Sequence, residues 1–174
     1  MKLTRSLRQA LLPLLLSAAS LTATIAGPAA AADFNVAGLA LNDLWVRASV
    51  PGQSNGAGYL QINNSSATAD RLISAESDAA TRTELHSVLN EDGVAKMRQV
   101  SGVDIPAQGS ASLAPGGFHV MFLQLTGPFK QGSIVPVVLK FKNAGEIRVN
   151  FTVKPSTYNP GNHAMQGHGK AMAH

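Results

Sequence analysis

Between Asp33 and Lys154 a turn signal interrupts the chain about every ten residues, and the segments in between alternate apolar with polar side chains. LWVRASV (44–50) stops at Pro51-Gly52, and GYLQINN (58–64) runs into a cluster of Ser and Asn. DRLISAES, TELHSVLN, GVAKMRQVSG, SASLAPGG, FHVMFLQLTG, SIVPVVLKFKNAG and EIRVNFTVKP follow. Such short runs suit a pleated, half-buried surface and are too brief for a helix to bury a face. Their β-branched and aromatic content predicts an all-β sandwich or barrel. No stretch has a persuasive helical period, and no internal repeat is evident.

The flanks read differently. Residues 1–32 begin with Lys2, Arg5 and Arg8 and no acid, continue through an apolar stretch broken by Pro13, and end in PAAAA. That three-part pattern is a secretory leader, with cleavage expected after Ala31 or Ala32 and a periplasmic destination. The apolar core is short for a retained membrane helix. With no cysteine to carry a lipid, no membrane anchor is expected. The expected organisation is leader 1–32, one β domain 33–155, and a tail 156–174, STYNPGNHAMQGHGKAMAH, whose composition predicts flexibility. Three of the 14 Lys and Arg lie in the leader, leaving 11 against 10 acids, a net charge of +1. Neither that balance nor any basic run interleaved with aromatics suits nucleic acid. Asn63 and Asn64 head N-x-S patterns and read as turn residues after a strand.

The absence of cysteine excludes whole chemistries. There is no disulfide framework, no thiolate nucleophile, and no thiolate ligand for a blue-copper electron-transfer centre. No Ser-His-Asp arrangement or phosphate-cradling glycine loop is detectable, because Gly116-Gly117 leads into a strand, so an enzyme is not expected.

Histidine and methionine are distributed selectively. Apart from Met1, they fall at His86, Met97, His119 and Met121 in the β domain and at His163, Met165, His168, Met172 and His174 in the tail. The core otherwise uses Val, Leu, Ile, Phe and Ala, with no methionine as gap-filler. In GGFHVMFLQL, Phe118, Val120 and Phe122 take one face, leaving His119 and Met121 on the other at a separation of roughly 6.5–7 Å. TELHSVLNEDGVAKMRQV reads as a hairpin with two registers open. If Asn90 pairs with Gly93, His86 faces Met97; a two-residue Asp92-Gly93 turn makes Val88 face Met97 instead. Two imidazoles and two thioethers form a soft, neutral donor set, which among biological first-row ions favours Cu(I). The tail donors read as a zinc or nickel scavenger, a solvated end or a copper site, Cu(I) or Cu(II), and the two methionines favour copper.

The spacing H-x10-M-x21-H-x-M, from His86 through Met97 and His119 to Met121, resembles that of the periplasmic copper chaperone family PCu(A)C. WVRASVPGQSNGAGYLQINN, DIPAQGSASLAPGGFHVMFLQL and VPVVLKF resemble its opening, central and closing segments. The resemblance implies a cupredoxin-like Greek-key β-sandwich holding one Cu(I) on those four side chains. It also implies service in cytochrome c oxidase assembly, with subunit II or Sco-type copper proteins as partners; a monomer is expected. The tail from His163 to His174 resembles the second-copper extension of some members. The alternative is a periplasmic scavenger, or copper-resistance binding protein, with no specific delivery partner.

Overall fold

A computed structural model describes residues 34–91 and 93–160. The expected cleavage site and the tail donors His163, Met165, His168, Met172 and His174 lie outside the described residues. The described chain has no α-helix and forms eleven strands. They are β1 (Phe34–Val36), β2 (Leu39–Arg47), β3 (Asn55–Asn64), β4 (Asp70–Glu76), β5 (Ala80–Glu91) and β6 (Val94–Gln99). The rest are β7 (Val103–Ile105), β8 (Gly109–Leu113), β9 (Phe118–Leu125), β10 (Ile134–Phe141) and β11 (Gly145–Lys154).

Hydrogen bonding follows the path β6-β5-β9-β8-β3-β2-β11-β10-β4-β7, with β1 added to β2 and β3 also bonded to β9. The pairings are antiparallel except β2 with β11 and β8 with β9. Alternation drives the architecture. In β11, Ile147, Val149, Phe151 and Val153 are buried while Glu146, Arg148 and Asn150 face water. Leu85 of β5, near one end of the path, and Leu72 of β4 and Ile105 of β7, near the other, join the same core as Val120 and Phe122. A sheet whose distant strands share one core must curl over itself, which gives the sandwich expected from the strand pattern. Each fully buried aliphatic or aromatic side chain contributes roughly 1.5–3 kcal/mol towards that closure. Gly58 of β3 permits a close approach beneath the sheet: a Cβ there would lie 3.0 Å from Phe122 and 3.2 Å from Val46.

Four local readings are corrected. β2 starts at Leu39, well before Leu44, because a bulge hides the alternation. The register shifts between Asn42 and Trp45, Asp43 takes φ 50°, and Leu44, Trp45 and Val46 are buried in succession. It also ends at Arg47, before Val50, which is exposed. Asn63 and Asn64 are strand residues opposite Ser110 and Gly109. Asn64 is buried; it donates to the carbonyls of Thr68 and Pro106 at 2.9 and 3.0 Å and accepts from the Ser66 amide at 3.0 Å. Finally, residues 156–160, the first of the expected tail, run back against the domain. The Tyr158 amide donates to the Pro155 carbonyl, and the Tyr158 ring meets Trp45 edge-on at 4.9 Å.

Candidate metal centre

β9 lies between β5 and β3, with Val120 and Phe122 packed inward and His119 and Met121 on the opposite face. Register partners in an antiparallel ladder point the same way, so the pairings identify the rest of this face. His86 is opposite His119, Glu84 is opposite Met121, and Ala57 of β3 lies on the other side of Met121. The hairpin takes the second of its two possible registers. Glu91 pairs with Val94, Gly93 supplies φ 79°, and Met97 therefore faces Val88. Met97 is thus a diagonal neighbour of His86, a relationship that spans about 7–8 Å in an antiparallel pair.

Met97, His119 and Met121 line one open cavity of about 320 Å³, together with Arg47, Tyr59 and Pro115. His86 is not in its wall but adjoins it through His119, the two ring centroids lying 5.8 Å apart. With metal–nitrogen bonds of about 2.0–2.1 Å, two imidazoles on one ion have centroids about 5–6 Å apart, so the observed spacing fits a shared ion. Exposure is graded across the site: His119 is 4% exposed and Met97 53%.

Each imidazole has one nitrogen engaged. His119 Nδ1–H donates to the Gly117 carbonyl at 3.1 Å, which leaves the Nε2 lone pair free. His86 Nε2 meets Glu84 Oε2 at 2.7 Å, while His86 Nδ1 is buried with no hydrogen-bond partner. An orphaned buried nitrogen is costly in a plain core and is what a ligand atom without its ion looks like. Burial pushes the His119 imidazole below its ordinary 6.5. The Gly117 carbonyl opposes that shift, and His86 adds slightly to it. A ring kept neutral in this way is ready to ligate. Among the described residues, no three His, Cys, Asp or Glu side chains gather as a metal cluster; the sulfur atoms that line the cavity beside His119 are the thioethers of Met97 and Met121.

The four expected core residues therefore share one face, with Met121 two positions from His119 on β9. Sequence reasoning missed Glu84, although its signal was present: in T-E-L-H, alternation puts Glu84 on the face of His86. Arg47 and Tyr59 in the cavity wall were also missed, since β2 and β3 reach this face only through tertiary pairing.

Residues 39–153 match the family described as LpqE-like, named for a lipoprotein. A protein of Leifsonia xyli subsp. xyli (strain CTCB07) named as a lipoprotein, Lxx21020, is 31% identical over 118 residues, covering 67% of this chain and 70% of that one. The copper-bound PCuAC domain from PmoF2 superposes with a TM-score of 0.62 at 22% identity, over 71% of this chain and 98% of that domain, a likeness of fold. The solution structure of CuI-DR1885 from Deinococcus radiodurans gives a TM-score of 0.54 at 31% identity, over 74% of this chain and 85% of that one.

Proposed function

The chain belongs to the LpqE-like family and is a PCuAC-type domain with a cupredoxin-like fold, and on that premise we propose that it is an exported copper chaperone. Its core site takes Cu(I) through His86, Met97, His119 and Met121. The observation that carries this reading is the pairing of His86 with His119 on one face with two thioethers, one imidazole nitrogen being buried and unpartnered. Solved neighbours named as copper-bound and CuI forms support the choice of ion, and the lipoprotein name of the relative supports export.

Handover follows the gradient of exposure. Met97 stands half in water on the edge strand β6, so an incoming partner displaces it first and reaches buried His119 last. The acceptor we propose is the copper centre of cytochrome c oxidase subunit II, reached directly or through a Sco-type protein.

The tail serves as a second copper site. The last described residue, Pro160, lies in a cleft with Trp45 and Pro115, and Pro115 also lines the core cavity. His163 follows three residues later, within about 11 Å of Pro160 along even a fully extended chain. Donors tethered to the domain by the chain itself raise the local copper concentration at the core.

The test is an anaerobic Cu(I) titration against a chromophoric chelator. The full chain is compared with a variant whose five tail donors are alanine, and with that variant carrying Met97→Ile. One tight equivalent that survives the tail substitutions and weakens with Met97→Ile supports the chaperone reading. Binding that vanishes with the tail donors makes the protein a scavenger.

A further inference from the structure

On one face of β5, three alternate residues form a chain of contacts. Arg82 Nε meets Glu84 Oε1 at 2.7 Å, and Glu84 Oε2 meets His86 Nε2 at 2.7 Å. Strand alternation makes them neighbours, since residues two apart project side by side. The Glu84 and His86 side chains are each 14% exposed and that of Arg82 is 69% exposed. Each carboxylate oxygen thus has its own partner, and the group is clamped between a surface cation and a nearly buried ring.

We infer that Glu84 is a positioning residue for the metal centre, fixing the pose and tautomer of His86 so that Nδ1 is the atom offered to the ion. A carboxylate accepts and does not donate, so the 2.7 Å contact places the ring proton on Nε2. A neutral imidazole protonated at Nε2 carries its lone pair on Nδ1, and Nδ1 is the atom found buried without a partner. His119 is locked in the opposite sense, with Nδ1–H on the Gly117 carbonyl and its lone pair on Nε2. The two facing rings are therefore held in complementary tautomers, one by a side chain and one by the backbone.

The identity of the ion rests on the copper reading above; the tautomer is a property of the metal-free protein and is measured separately. The experiment uses the full chain with its five tail donors replaced by alanine. Ring nitrogens are followed by long-range ¹H–¹⁵N spectra without metal and with Cu(I), beside the Cu(I) dissociation constant. In the metal-free protein, His86 is expected as the Nε2–H form and His119 as the Nδ1–H form. Cu(I) should then shift His86 Nδ1 and His119 Nε2. Glu84→Ala should release His86 into a mixture of tautomers and weaken Cu(I) about 10–100-fold, with His119 signals retained as the mark of an intact fold. Glu84→Gln keeps an accepting oxygen and should recover most of the loss. A wild-type His86 protonated at Nδ1, or a folded Glu84→Ala with unchanged tautomer and affinity, overturns the positioning role. Because the wild-type tautomer needs no variant, an unfolded Glu84→Ala leaves that test standing. A wild type that binds no Cu(I) in its core overturns the copper reading instead, which is a separate result.

Discussion

His86 and His119 are direct partners across the β5–β9 ladder, with ring centroids 5.8 Å apart. One ring belongs to a strand that continues into the edge hairpin. The other lies between β5 and β3, over a floor of Val120 and Phe122 that is closed to water. Across this pair the rigid core meets an open cavity, and the site's chemistry follows from it.

On the proposed reading, both rings hold the ion. Replacing either His86 or His119 by alanine in the tail-substituted protein is expected to weaken Cu(I) by more than about 100-fold, beyond the range typical of residues that only support a ligand. Chelator competition measures it, and an unchanged dissociation constant for either variant would remove that ring from the site.

Met97 separates binding from folding. It is 53% exposed on an edge strand, so Met97→Leu should change stability by no more than about 0.5 kcal/mol, as for surface substitutions. The same change deletes a thioether and should cost about tenfold or more in Cu(I) affinity, or about 1.4 kcal/mol. Paired urea melts and Cu(I) titrations check this, and a variant that loses stability and affinity together would contradict it.

The pH dependence of the metal-free protein has a definite sign. His119 is held below its ordinary 6.5 by burial, so its contribution to stability is complete above the unfolded value. As pH falls through 6.5 the unfolded chain takes up this proton first, and stability drops until the lowered native value is passed. Melting temperatures from about pH 8 to about pH 5 should fall more steeply for the wild type than for His119→Gln. Identical slopes would show that burial does not keep this ring neutral.

The floor of the site depends on Phe122, which is fully buried and meets Phe129 edge-on at 5.3 Å. Phe122→Ala should cost about 3–5 kcal/mol, the range for deleting a buried aromatic. Denaturant melts measure it; a loss below about 1 kcal/mol would mean that the core beneath β9 collapses to fill the gap.

Much of this was legible in the chain. The facing of His119 and Met121 away from Phe118, Val120 and Phe122 needs only the period of a strand, and β9 realises it. Less was legible wherever the period is broken or the element is short. The bulge at Asp43 hid the first half of β2, and β7, at three residues, is too brief to show an alternation. Asn64 resembled a turn residue because its burial depends on the carbonyl of Pro106, which the sequence does not place beside it.

The sequence by itself determined the donors, their softness, and the strands that carry them, because side-chain chemistry and a two-residue period are local properties. Only the tertiary structure decided who faces whom. The pairing of Glu91 with Val94 set Val88 against Met97, and the β5–β9 ladder set His86 against His119 with Glu84 behind one ring. Register is a choice among pairings of nearly equal local energy, and it is settled by which strands the shared core draws together.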